Sequence, residues 1–396
     1  MSLKDKIKTL ASEYAADVVS YRRHLHAHPE LSFEEVNTAK YVADQLESFG
    51  VKVQRGVAET GVVGIIEGKN PSKKVIALRA DMDALPIEEK NDVAYKSTNN
   101  GVMHACGHDA HTASLLGTSR ILSAIKNEFE GTVKLIFQPG EEKIPGGASL
   151  MIKAGVLQNP KPHNILGQHV MTMIPAGKVG FREGMYMASA DEIYVTVKGK
   201  GGHGAMPDKS IDSILIASHI IVALQQIVSR NCDPRIPCVL TFGNIIGKGA
   251  TNIIPEEVKI EGTFRTLNED WRKEAHIKMK KMAEAIAEGM GATCEFTILN
   301  GYPFLMNDPA LTQRMKAKAE ELLGKENVID LDLWMAAEDF AYYTQEIDAC
   351  FYRLGVRNEA KGITSGVHTP TFDIDESALQ TGSALMAWLA VKELEN

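Results

Sequence analysis

The chain has 396 residues, of which 44% are hydrophobic and 24% charged, with a formal net charge of −8. That length exceeds what one hydrophobic core usually organises, so two domains are expected, and the composition argues against disorder. An acidic balance without a lysine- or arginine-rich run leaves a nucleic-acid partner no electrostatic footprint.

The N-terminal stretch "MSLKDKIKTLASEYAADVV" reads as an amphipathic helix without an apolar signal core, so export is not expected and a cytoplasmic location is. "SFEEVNTAKYVADQLESFG" predicts a helix that opens on a capping box, Ser32 to Glu35, and stops at Gly50. Strand patterns follow at "VVGIIEG", "KKVIALRADMD", "TVKLIFQPGEE" and "HNILGQHV", with a helix from about Asp109 to Phe129 between two of them. Alternating strands and helices indicate an α/β domain. Asp81, Asp83, Glu141, Glu142 and His169 all come after the apolar run of their strand, where α/β sheets bind ligands.

The texture changes near residue 185. The strand "DEIYVTVKGKG", the helix "SIDSILIASHIIVALQQIVS", the strands "CVLTFGNIIG" and "VKIEGTFRT", the helix "EDWRKEAHIKMKKMAEAIAEGM" and the strand "TCEFTIL" form a two-helix, four-strand α+β unit. Its apolar run at 214–228 is short for a bilayer and broken by Ser218 and His219, which favours a half-buried helix over a membrane partner. From about 302 the α/β texture returns, ending in a helix from Glu376.

"HACGHDAH" at 104–111 places Cys106 and His108 at a loop-to-helix junction that Asp109 could cap. Alone, a histidine is more often structural and a cysteine a small buried hydrophobe. "FQPGEEKIPGG" adds Glu141 and Glu142, adjacent carboxylates of which one can bind metal while the other acts as base; "GQHVM" and "GVHTPTFD" add His169 and His368. Four separated segments offering metal ligands carry more weight than any one. "GKGGHG" at 199–204 fits the dinucleotide glycine pattern, but Pro207 follows and no acidic residue ends a second strand near 224. A cysteine hydrolase built on Cys106 remains open, although it leaves Glu141, Glu142, His169 and His368 without a role. The five cysteines, at 106, 232, 238, 294 and 350, are too scattered for a disulfide framework.

Taken together, "HAHPELSFEE", "RADMDALP", "HACGHDAHTA", "FQPGEE", "GGHGAMP", "NIIP", "GTFRT", "EDFAYY" and "VHTPTFD" resemble the aminoacylase and carboxypeptidase superfamily of di-metal hydrolases. Within it they are similar to the amidohydrolase branch of hippurate hydrolases, N-acetyl-diaminopimelate deacetylases and auxin-conjugate hydrolases. The resemblance implies a catalytic α/β domain with a mixed sheet over residues 1–186 and 301–396, interrupted at 187–300 by a smaller lid that also forms a homodimer. It implies two divalent ions per subunit (Zn, Mn, Co or Ni), with Cys106 bridging, His108 and His169 completing one site, and Glu142 and His368 the other. Glu141 is then the general base, and Asp81 the carboxylate that orients His108. A thiolate bridge favours borderline-soft ions, and paired ions suit amide hydrolysis because they polarise the carbonyl and acidify water. His203 of the lid is expected to stabilise the oxyanion or grip the substrate, reaching the partner's site, and Asn252 and Arg265 to receive a free carboxylate. The implied substrate is a small N-acyl amino acid; a metallo-dipeptidase or carboxypeptidase and a non-catalytic binding protein are the alternatives. Gly140, Ala337 and Asp208 depart from the alanine, serine and histidine common in that branch, which bears on substrate preference.

Overall fold

In a computed structural model, which describes residues 1–395, the chain forms two compact units. The first comprises Met1–Gly184, Met306–Asp332 and the chain from Asp339 on; the second comprises Met185–Leu305 and Leu333–Glu338.

The first unit is built on an eight-stranded mixed sheet. Its order is Lys52–Val57, Gly61–Glu67, Thr132–Gln138, Val75–Asp81, Asn164–Pro175, Asp348–Arg357, Val179–Phe181 and Val328–Asp330. The central strands Val75–Asp81 and Thr132–Gln138 are parallel and buried along their whole length, as expected of strands covered on both faces. Asn164–Pro175 runs parallel to Val75–Asp81 on one side and to Asp348–Arg357 on the other. The helices His108–Ala124 and Ser377–Glu395 pack on each other and on this parallel core. The buried cluster includes Leu78, Leu115, Leu116, Leu135, Leu166, Leu385 and Leu389.

Two helix starts differ from the sequence expectation. The helix after Ser32 begins only at Val36, and no side chain caps it. The Ser32 hydroxyl donates instead to Asp83 Oδ2 at 2.6 Å, and the Glu35 carboxylate accepts from Phe33 N, Gly140 N and Thr60 Oγ1. Asp109 lies inside the first turn of His108–Ala124 rather than capping it, because buried Arg22 and His26 take its carboxylate, each at 2.8 Å.

The second unit has a four-stranded antiparallel sheet in the order Cys238–Gly247, Glu257–Thr266, Asp191–Lys198, Thr293–Asn300. Two helices, Ser213–Gln226 and Glu269–Gly289, pack against it. The stretch Ser213–Asn231 is apolar and long enough to cross a membrane by length and composition. Its residues Ile216, Ala217, Ile220, Leu224 and Ile227 are buried in this unit's core.

Candidate metal centre

The turn after Val75–Asp81, the loop after Thr132–Gln138, the strand Asn164–Pro175, the start of His108–Ala124 and the loop carrying His368 meet in the first unit. Gly107 makes the meeting possible. It has a φ of +91°, and a Cβ there would lie 2.5 Å from Val170 Cγ2, so only glycine lets Cys106 and His108 approach the strand that carries His169. His368 itself adopts a φ of 60°, a left-handed conformation uncommon outside glycine, and its N–H is held by Ala105 O at 2.7 Å.

Cys106 Sγ lies 3.5 Å from His169 Nε2 and 3.3 Å from His368 Nε2, and His368 Nε2 lies 3.2 Å from Glu142 Oε1. Ligands around one tetrahedral zinc ion are separated by roughly 3.3–3.8 Å, as bond lengths near 2.0–2.3 Å require. His108 Nε2 faces Glu141 Oε2 at 3.9 Å and Glu142 Oε1 at 4.0 Å, buried and, among the described residues, without a hydrogen bond. Donor atoms of Cys106, His108 and His169 lie within 4.8 Å of one another, as do those of Cys106, Glu142 and His368. A buried imidazole nitrogen that makes no geometric hydrogen bond among the described residues, beside a thiol shared by two donor sets, fits a pair of ions.

The electrostatics of the cluster follow from its burial and its carboxylates. Burial, with Glu142 adding to it, pushes the Cys106 thiol well above its ordinary range. A nucleophilic thiolate and a metal-bound thiolate alike need positive charge beside the sulfur. Burial works against a charged His108, but Asp81, Cys106 and Asp83 outweigh it and hold His108 well above its usual value. His169 is held neutral by burial and by its neighbour His111.

Asp81 does not orient His108 by a hydrogen bond. His108 Nδ1 is bonded to Asp83, at 2.9 Å to its carbonyl and 3.1 Å to Oδ1, whereas Asp81 Oδ2 lies 3.8 Å from Nε2. Asp81 is taken by Arg79 Nη1 at 2.6 Å and by His111 Nδ1 at 2.6 Å. Asp83 and His111 were both visible in the motifs, Asp83 two residues beyond Asp81 and His111 one helical turn after His108, but their roles appear only in three dimensions. Asp81, His108 and His111 are also close enough to hold an ion, yet both His111 nitrogens are committed, Nδ1 to Asp81 and Nε2 to Val170 N–H at 2.8 Å.

The remaining expected residues lie in the second unit. His203 is exposed on a short strand paired with Ile253–Ile254, and Gly204 N–H bonds Asn252 O at 2.8 Å, so His203 and Asn252 are neighbours. Arg265 is half-buried in Glu257–Thr266 and donates to Met335 O at 3.2 Å; among the described residues no carboxylate pairs with it.

Residues 77–392 match the model of Peptidase family M20/M25/M40. The chain is 40% identical to thermostable carboxypeptidase 2 of Saccharolobus solfataricus over 99% of both chains. It is 43% identical to an N-acyl-L-amino acid amidohydrolase of Geobacillus stearothermophilus over 77% of this chain and 81% of that one. Among solved structures, the Bacillus subtilis YXEP protein, described as a dinuclear metal-binding peptidase of the M20 family, superposes with a TM-score of 0.84 at 35% identity, covering 97% of this chain and 99% of that one. With its mixed α/β fold and this cluster of ligands, the chain belongs to peptidase family M20/M25/M40 and is a hydrolase of amide bonds.

Proposed function

We propose that the protein is a di-metal amidohydrolase that cleaves N-acyl amino acids to a carboxylic acid and a free amino acid. The observation that carries this reading is the position of Cys106 Sγ between His169 and His368, which gives two donor sets sharing one sulfur. Cys106 would bridge two divalent ions, zinc, manganese, cobalt or nickel, with His108 and His169 on one and Glu142 and His368 on the other. Ions so held supply Lewis acidity toward the amide carbonyl and toward water. Glu141 acts as general base: Asp339 N–H donates to its Oε1 at 3.2 Å while Oε2 faces His108, which directs the carboxylate to the ligand cluster. It takes the proton of the attacking water and passes it to the leaving amine. A protein that only bound such ligands would have no need of this base.

His203 is assigned to the oxyanion, with Asn252 and Arg265 gripping the substrate carboxylate, in a homodimer formed through the second unit acting as lid. Support for the dimer comes from the edge strand Cys238–Gly247, which exposes Val239, Ile245 and Ile246, and from the helix Ser213–Gln226, which exposes Ile214, Leu215 and Val222. An unprotected edge strand beside exposed aliphatic side chains is a surface that proteins normally cover.

The carboxypeptidase among the relatives supports a second reading, cleavage of peptides at a free C-terminus. Metal-free protein reconstituted separately with zinc, manganese, cobalt and nickel, then assayed on N-acetyl and N-benzoyl amino acids beside dipeptides, separates the two. The acyl amino acids should show the higher kcat/KM; turnover of dipeptides alone would establish the second reading.

A further inference from the structure

We propose that His111 is a positioning residue that fixes His169 through Val170, an inference that rests on reading His169 as a metal ligand. The pairing of Asn164–Pro175 with Val75–Asp81 extends only to Gly167, so beyond that point the strand needs other partners on this side. Val170 receives one from a side chain: its N–H donates to His111 Nε2 at 2.8 Å. A nitrogen that accepts carries no proton, so the His111 proton sits on Nδ1, where it is donated to Asp81 Oδ1 at 2.6 Å. Val170 also accepts, through its carbonyl, the Nδ1–H of His169 at 2.7 Å. That bond leaves His169 Nε2 facing Cys106 Sγ.

The relay is anchored at its far end. Arg79, fully buried, holds Asp81 through Nη1 at 2.6 Å and Asp339 through Nη2 at 2.7 Å, and Gln138 Nε2 donates to both Asp339 oxygens. Arg79, Asp81, His111 and Val170 thus form a continuous buried chain that ends on the one ring whose tilt decides where Nε2 points. Asp81 acts on the cluster by this route, through His111.

Groups that orient a metal-bound histidine typically change metal affinity 10–100-fold when removed. Two substitutions divide the two ends of the imidazole. His111→Asn keeps a polar group near Nδ1 but nothing where Nε2 accepts; His111→Gln keeps an acceptor near Nε2. Co(II) added to metal-free protein, in competition with a chromogenic chelator, reads the affinity of each ion, and the visible spectrum reports the geometry around it. H111N should bind one of two ions roughly 10–100-fold more weakly, with an altered spectrum, and H111Q should stay near wild type. Urea unfolding of the metal-free variants shows whether a loss follows from global destabilisation. Wild-type affinity in H111N, or an equal loss in both variants, would overturn the proposal. Should H111N not fold, two-bond ¹⁵N–¹H spectra of histidine-labelled wild-type protein decide the matter: the proposal requires neutral His111 with the proton on Nδ1, and an Nε2–H tautomer or an imidazolium refutes it. His169→Ala serves as the reference: if it retains both ions, the metal reading itself fails, whereas loss in H169A with none in H111N sinks only the relay.

Discussion

Glu141 and Glu142 are adjacent, yet their surroundings differ, and the proposed function gives them opposite tasks. Glu142 stands 3.2 Å from His368 Nε2, and its own N–H is held by Asp83 Oδ2 at 2.9 Å, whereas Glu141 is steered by the backbone of Asp339. Glu141→Gln should therefore keep the bound metal and lower kcat by roughly two to four orders of magnitude, while Glu142→Gln weakens metal binding first; elemental analysis beside steady-state kinetics checks both, and exchanged phenotypes would reverse the assignment. A pH dependence follows from the same cluster. Cys106 and His108 both sit above their ordinary values in the metal-free protein, so near neutrality each has to shed a proton when an ion binds. Affinity should rise with pH, and calorimetry in buffers of different ionisation enthalpy should register proton release; uptake indifferent to pH would contradict it. The donor groups that the fold brings together were legible in the sequence because thiol, imidazole and carboxylate announce their chemistry wherever they fall. The choice between Asp81 and Asp83 was not, since the strand ends at Asp81 and the turn beyond it decides which carboxylate reaches His108.

At the scale of elements, the helix Ala15–Ala27 is tied to the start of His108–Ala124 by charge rather than by a cap. Arg22 reaches Asp109 Oδ2 and Asp373 Oδ1, each at 2.8 Å, and His26 Nδ1 meets the same Asp109 oxygen at 2.8 Å. Burial disfavours the ionised Asp109, but Arg22 and His26 overcome it and hold the carboxyl far below its usual range. Replacing Arg22 by leucine leaves that carboxylate buried beside fewer positive partners, which should cost about 3–5 kcal/mol of folding stability in urea titrations. A carboxyl depressed in the folded state stabilises above its unfolded pKa, so the wild-type advantage should shrink as pH falls below about 4. An unchanged urea midpoint would show that the cluster is ornamental to the fold. The strands themselves were legible from their short, β-rich apolar runs. Both helix starts were misread for one reason: Ser32 and Asp109 have the chemistry of capping residues, and distant buried partners, Asp83 and Arg22, claimed them.

For the molecule as a whole, the changes of texture near 185 and 302 lie close to where the chain passes between its two units, after Gly184 and after Leu305. The return of Leu333–Glu338 to the second unit was not legible, because the segment is held in part through its backbone, Trp334 N to Tyr186 O at 2.9 Å, Ala188 N to Ala336 O at 3.1 Å and Arg265 Nη1 to Met335 O at 3.2 Å, contacts that leave no mark on its own side-chain pattern. If His203 serves the partner's site in a two-fold dimer, E141Q and H203A homodimers are each inactive, but a mixed dimer has one site with both lesions and one with neither. With free exchange about half the dimers are mixed, so activity should recover to roughly a quarter of wild type. No recovery, with exchange shown by mass-labelled subunits, would place His203 in its own subunit's site. The spacing of the ligands carries a final consequence for supply. Cys106 lies 63 residues from His169 and 262 from His368, so an unfolded chain presents scattered donors and competes poorly for ions. An ion taken up by the folded form alone acts as a thermodynamic ballast: each tenfold rise in its free concentration above the dissociation constant deepens the folded state by about 1.4 kcal/mol. The protein's durability is then set partly by the metal its surroundings provide, and scarcity of that metal would shorten its lifetime before it limited its turnover.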